Sequence, residues 1–280
     1  MTETAAAQIA ALAQQGSVHR VTLPGAEVTW RRFGSGPPLV LVHGGHGSWL
    51  HWARSIPVLA RHCTLWVPDL PGYGASPVAP PVGDLAALVQ ATATTLDHLV
   101  GAGTPVWLAG FSFGGLVATQ LAALRGGVTQ LALLGSAGHG TPRRPRGKLL
   151  DWKEQARSGD SAALADVMRH NLGVHMLHAQ GDAIDPLALE IHTRSCLATR
   201  FRSRHLSLGA RIGPTLETLP ARLWLAYGEH DVTASPALAV DALAAAHPDR
   251  QARIIGGAGH WVQYEQADLV HTLLLDWLQP

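Results

Sequence analysis

Cysteine is nearly absent from this chain of 280 residues, and its charges are few and balanced. The two cysteines, Cys63 and Cys196, lie far apart, which excludes a disulfide framework and a C-x-x-C metal or redox motif. That usage fits a reducing compartment. Lys and Arg total 21 against 20 Asp and Glu, so the net charge is +1 and recommends neither nucleic acid nor an anionic membrane as a partner. The basic residues are nearly all Arg. One Pro-rich stretch, TPRRPRGK (Thr141 to Lys148), gathers several of them and is expected to be a solvated loop. No apolar run reaches the length of a membrane span. The N-terminal MTETAAAQIAALAQQG opens with an acid, and Gln8 interrupts its apolar stretch. It reads as a short surface helix and not as a secretory signal. No internal repeat is present. The expectation is a soluble cytoplasmic protein acting on a small molecule, with a homodimer left open.

What the chain does have is apolar residues, 47% of the total, in short runs bounded by turn residues. That is enough for one large α/β domain with room for an insertion. Strands are expected from Val18, Glu27, Pro37, Cys63, Pro105, Val128, Arg222 and Gln251. The last six are near-continuous hydrophobic runs, the pattern of strands covered on both faces. The first two alternate more and suit an antiparallel start at one edge. Helical patterns lie between most strands. Asp84 can cap a helix bearing Leu85, Leu88, Val89, Leu96 and Leu99. Ser235 followed by Pro236 reads as a cap with proline in the first turn. The alternation implies a mostly parallel sheet wrapped by helices. From about His139 to Gly213 no strand is convincing, and the span is far longer than a loop. It is read as a helical cap, which divides the chain into core (1–138), cap or lid (139–215) and core (216–280).

The chemistry centres on Gly110-Phe111-Ser112-Phe113-Gly114, a G-x-S-x-G pattern between a strand and a helix. A reversal this sharp forces the central residue toward positive φ. Flanking glycines remove the side chains that would collide. The hydroxyl of Ser112 is thereby displayed at the C-terminal edge of the sheet, beside the free N–H groups of a helix start. A serine needs a base, and the base needs an acid. Asp231 follows one later strand (GEHD) and His260 follows the last (GAGHW), giving the order Ser112, Asp231, His260. His230 is the rival base and Glu229 the rival acid. In HGGHG, the backbone N–H of Gly45 is the expected oxyanion donor, with that of Phe113 as the second. His43 is expected to support this loop. Gly44, His46, Phe111 and Trp261 are the expected pocket residues, with Trp49, Trp52 and Tyr264 nearby and in part buried by packing. His170, His175 and His178 could share a helical face, but no carboxylate or cysteine joins them convincingly, so no metal is expected. Arg200 to Arg204 (RFRSR) reads as a solvated helix face, or as a cation source for a substrate carboxylate.

These motifs, together with HGGHGSW and DLPGYGAS (Asp69 to Ser76), resemble the α/β-hydrolase fold superfamily over nearly the full chain. The resemblance implies the α/β-hydrolase fold. This is an eight-stranded, mostly parallel sheet with the second strand antiparallel, a helical cap inserted between strands 6 and 7, and no metal or organic cofactor. It implies a serine hydrolase of small to medium apolar carboxylic esters, with amides or carbamates as alternatives. Ser112 in place of Asp argues against haloalkane dehalogenase and epoxide hydrolase chemistry. Meta-cleavage-product C–C hydrolases share the HGG loop, the double glycine after the serine and a Trp after the catalytic His. They usually carry Asn where this chain has Phe111, which favours the ester reading. A non-catalytic ligand-binding homologue need not keep Ser112, Asp231 and His260 together.

Overall fold

The structure is a computed structural model that describes residues 3–24, 26–209 and 211–279. Eight strands form: β1 (Ser17–Leu23), β2 (Ala26–Phe33), β3 (Pro38–Val42), β4 (Thr64–Asp69), β5 (Val106–Phe111), β6 (Val128–Leu134), β7 (Arg222–Gly228) and β8 (Gln251–Ile255). They make one sheet in the order β1-β2-β4-β3-β5-β6-β7-β8. β2 runs antiparallel to both β1 and β4, and every later pairing is parallel. Side chains alternate across each strand, so the continuous apolar runs feed two cores at once. Leu39, Leu41, Ala109 and Phe111 face one core, while Val40, Val42 and Leu108 face the other.

Helices cover both faces. Leu85–Val100 starts at Asp84, whose carboxylate accepts the Ala87 N–H at 2.8 Å, and it buries Leu88, Val89 and Leu96. The N-terminal helix Ala5–Gln14 buries Ile9 and Leu12 against the core. Pro236–Ala244 begins with proline as expected, but the Ser235 hydroxyl makes no capping bond. β8 departs from the doubly covered pattern. It is the edge strand, pairs only with β7, and keeps Ile255 buried while Ile254 is exposed. Between β6 and β7 the described residues hold helices and turns but no strand, chiefly Ser161–His175 and Pro186–Leu197. The second helix ends at Leu197, so Arg200 to Arg204 lie in irregular chain and not on a helix face. No helix among the described residues is long and apolar enough to cross a membrane.

Both cysteines are free and buried, and burial pushes the Cys63 thiol up to about 11 and that of Cys196 to about 12. Two buried histidines carry the opposite consequence. His192 on Pro186–Leu197 and His271 on the C-terminal helix Ala267–Leu278 are both lowered by burial to about 4. Their native values lie below the unfolded one, so the native state binds fewer protons. Their contribution is complete above about pH 6.5 and is lost as pH falls toward 4. The melting temperature should therefore drop between pH 7.5 and 5, with each ring costing on the order of 2 kcal/mol over that range. A calorimetric scan series that finds no drop would contradict this.

Candidate active site

β5 delivers the chain to Ser112, and the helix Phe113–Arg125 starts immediately after it. Ser112 has φ 55° and ψ −121°, in the region that side chains rarely adopt. Its backbone is held on both sides. The N–H donates to the Leu134 carbonyl at 2.9 Å, and the C=O accepts from Gly115 and Ala137, each at 2.9 Å. The glycines are there for space. A Cβ on Gly110 would overlap the backbone of Gly114 and Gly115, one on Gly114 would strike the Val42 and His43 carbonyls, and one on Gly115 would strike Ser136.

The loops after β7 and β8 bring the other two groups. The Ser112 hydroxyl lies 2.8 Å from His260 Nε2, and His260 Nδ1 lies 2.8 Å from Asp231 Oδ2. An ionised Asp231 can only accept, so Nδ1 carries the proton and Nε2 accepts from the serine. Asp231 Oδ1 accepts the Thr233 N–H at 2.7 Å, and the Thr233 hydroxyl stands 3.0 Å from Nδ1. Burial alone would raise the Asp231 carboxyl. The adjacent His260 ring and the Thr233 donors outweigh it and hold the carboxyl below its ordinary value. Glycines again allow the approach. A Cβ on Gly228, at the end of β7, would collide with the carbonyls of Ala258 and Gly259. The rivals are elsewhere: His230 is exposed and stacks on His178 at 3.8 Å, and Glu229 accepts from the Gly257 N–H.

The loop after β3 is fixed by two neutral histidines. The Leu70 N–H donates to His43 Nε2 at 3.0 Å, so Nδ1 bears the proton and donates to the Gly44 carbonyl at 2.8 Å. The Gly44 N–H donates to His51 Nδ1 at 3.2 Å. Burial lowers His43 and holds His51 well below its ordinary value, so both rings stay neutral and can accept. The Gly44 carbonyl and the Gly45 N–H belong to one planar peptide unit. Fixing the first aims the second in the opposite direction. Neither the Gly45 nor the Phe113 N–H has a hydrogen-bond partner among the described residues. Both residues line a cavity of about 500 Å³ that also contains Ser112 and His260. Asp69 ties this loop down, accepting from Trp49 N–H at 2.8 Å, Ala75 N–H at 3.0 Å and Arg31 at 3.0 Å.

Of the expected pocket residues, His46 and Phe111 are on the cavity wall, whereas Gly44 and Trp261 are not. Gly44 is turned back onto the two histidines. Trp261 is fully buried behind His51, to whose carbonyl its indole N–H donates at 3.0 Å. Trp49, Trp52 and Tyr264 are likewise packed in the core. The three insertion histidines are not brought together: His170 bonds the Lys148 carbonyl, His175 stands with its ring 6.0 Å from His260, and His178 stacks on His230. The TPRRPRGK stretch is a loop, yet Arg143 and Arg146 from it line the cavity. The reading of the sequence missed His51, Thr233 and Glu265, and named His175 only in a histidine group weighed for metal. The Glu265 carboxylate accepts from Gly259 N–H at 2.7 Å, His178 N–H at 2.8 Å and Ala179 N–H at 3.1 Å, joining the His260 loop to the insertion. Thr233 alone left a signal, standing two residues after the acid.

A Ser–His–Asp chain beside two free amides is equipped for acyl chemistry. The alpha/beta hydrolase family matches residues 39–273. The dihydrolipoyllysine-residue acetyltransferase component of the acetoin cleaving system of Pseudomonas putida is 31% identical over 95% of this chain and 70% of its own length. The pimeloyl-(acyl-carrier protein) methyl ester esterase of Xanthomonas axonopodis pv. citri is 32% identical over 86% of this chain and 94% of its own. A solved membrane phospholipase A, described as a bacterial virulence factor, superposes with a TM-score of 0.77 at 21% identity, covering 98% of this chain and 90% of that one. With the family match running from β3 into the last helix, this chain belongs to the alpha/beta hydrolase family and is a hydrolase.

Proposed function

We propose that the protein hydrolyses carboxylic esters with small to medium apolar chains, with Ser112 as nucleophile, His260 as base and Asp231 as its partner. The observation that carries this is the pair of 2.8 Å contacts linking Asp231, His260 and Ser112, with the serine held at positive φ. His260 Nε2 takes the hydroxyl proton as Oγ attacks the ester carbonyl. The tetrahedral oxyanion accepts from the Gly45 and Phe113 N–H groups, aided by the start of the Phe113–Arg125 helix. The imidazolium, stabilised by Asp231, then protonates the departing alkoxide, leaving an acyl-Ser112 and a free alcohol. A water molecule loses its proton to the same nitrogen and attacks the acyl group. The acid leaves and Ser112 recovers its proton. The β6–β7 insertion acts as the lid over this cavity.

A second reading keeps the same residues and cuts a C–C bond of a dienoate-type diketone. Arg143 and Arg146 favour it, since they reach the cavity from the insertion and could hold the substrate carboxylate. Phe111 in the place of Asn weighs against it. A panel of ester, amide and C–C substrates separates the two by which bond breaks.

Ser112→Ala and His260→Ala should each lower ester kcat by about 10⁴-fold or more, and Asp231→Asn by about 10⁴. Intact-protein mass spectrometry should trap the acyl adduct on Ser112 in the wild type and on neither the Ser112 nor the His260 variant. Full activity in His260→Ala would remove the base from this scheme. His51 is a positioning residue in it. His51→Ala should lower kcat about ten- to a hundredfold, more than it changes KM, because the loop that carries the Gly45 amide loses the acceptor of its Gly44 N–H, although the ring also lines the cavity. His51→Asn, whose amide oxygen can accept the Gly44 N–H, should restore part of the loss. A change confined to KM would show that His51 does not aim the amide.

A further inference from the structure

The cavity around Ser112 is lined by Arg143, Arg146, Lys153, Arg202 and Arg204 and, among the described residues, by no aspartate or glutamate. In a chain whose net charge is +1, this concentration of one sign is a built feature. Five arginines outside the cavity are paired with carboxylates: Arg31 with Asp69, Arg54 with Asp185, Arg125 with Asp97, Arg194 with Glu190 and Arg250 with Glu217. None of the five cavity cations has a carboxylate partner among the described residues. The acid beneath the cavity floor, Asp231, is fully buried and committed to His260 and Thr233. Burial lowers the guanidinium groups of Arg143 and Arg146; the Asp231 carboxylate offsets part of this at Arg143, while Arg204 lowers both further by repulsion, so these three cations feel one another.

His175 adds a neutral donor of fixed orientation. Arg146 Nη1 can only donate, so the 2.9 Å contact makes His175 Nδ1 an acceptor. The proton then resides on Nε2. Burial keeps the ring well below its ordinary value, and His260, Arg146 and Arg143 oppose its protonation as well. Phe111, Phe113, Leu149, Leu150, Trp152 and Met176 give the wall an apolar part, beside neutral polar groups such as Asn171, Ser203 and Ser207. An apolar passage beside a surplus of positive charge and N–H donors suits a ligand with a greasy body and an anionic end.

We propose that the ester cleaved at Ser112 carries a carboxylate or phosphate joined to the scissile group by an apolar spacer, and that Arg143, Arg146 and Arg204 bind that anion. This rests on Ser112 being the nucleophile. The anion supplies the counter-charge that the cavity lacks, and it orients the ester by its far end. The carboxylate and phosphate sources share this chemistry and differ in shape and charge.

The test compares kcat/KM of the full-length protein on methyl octanoate, monomethyl suberate and 2-(octanoyloxy)ethyl phosphate. At least one anionic ester should exceed methyl octanoate by about 10- to 100-fold, the range of one or two charge-assisted hydrogen bonds. Whichever of the two is faster identifies the source. The advantage should shrink as NaCl rises from about 0.05 to 0.5 M. The anionic-to-neutral ratio should fall toward one in Arg143→Met/Arg146→Met, and separately in Arg204→Met. Equal rates on all three esters, or a ratio that survives both variants, would overturn the proposal. Suberate and octyl phosphate binding to Ser112→Ala, measured by calorimetry, provides a readout free of turnover. Arginine-dependent binding of these anions in a protein that hydrolyses none of the esters would overturn the nucleophile and leave the anion site standing.

Discussion

The left-handed backbone of Ser112, at φ 55°, is the constraint on which the rest of the site depends. A non-glycine residue held there costs on the order of 1–3 kcal/mol and persists only where its surroundings over-determine it. Here they do so through main-chain contacts alone. Gly110 meets Gly114 and Gly115 backbone to backbone, Gly114 lies against the ends of β3, and the carbonyl of Ser112 accepts two N–H groups. That fixes the position of the Ser112 Cβ relative to the sheet, and the hydroxyl on it meets His260 Nε2 at 2.8 Å. His260 is then placed by its own loop, through Gly228 and Gly135, whose missing side chains leave room for the ring and its carbonyl neighbours.

A second layer sets proton positions. His43 and His51 work as neutral hydrogen-bonding frames, one accepting from Leu70 and donating to Gly44, the other accepting from Gly44. Burial is what makes them reliable, because a protonated ring could not accept. The same logic applies in the insertion, where a fixed arginine decides which nitrogen of His175 bears hydrogen. The loops around Ser112 therefore rest on histidines that burial holds toward the neutral form.

The strands were legible because each is a short apolar run between turn residues, and Ser112, Asp231 and His260 because each stands just after one of those runs. Gly45 and Phe113 were legible for the same reason, one following β3 and the other β5. What escaped was decided by contacts between distant segments. Trp261 adjoins His260 in sequence, but its ring turns inward because the His51 carbonyl, 210 residues away, accepts its N–H. Glu265 is one acid among 20 in the chain until three backbone amides from two segments converge on it. Arg143 and Arg146 looked like a solvated loop because composition carries no information about which way a loop faces. β8 looked fully covered because its apolar pair, Ile254 and Ile255, does not reveal that it is the last strand of the sheet.

Ser112, Asp231, His260, Gly45 and Phe113 all come from the sheet and its edge loops, whereas every cavity cation comes from the β6–β7 insertion. The cations and the Ser112–His260–Asp231 chain thus lie in separate stretches of the sequence. Exchanging the β6–β7 segment would change the charge of the cavity while those three side chains keep their places on the sheet, a division that lets a single scaffold diversify one segment at a time.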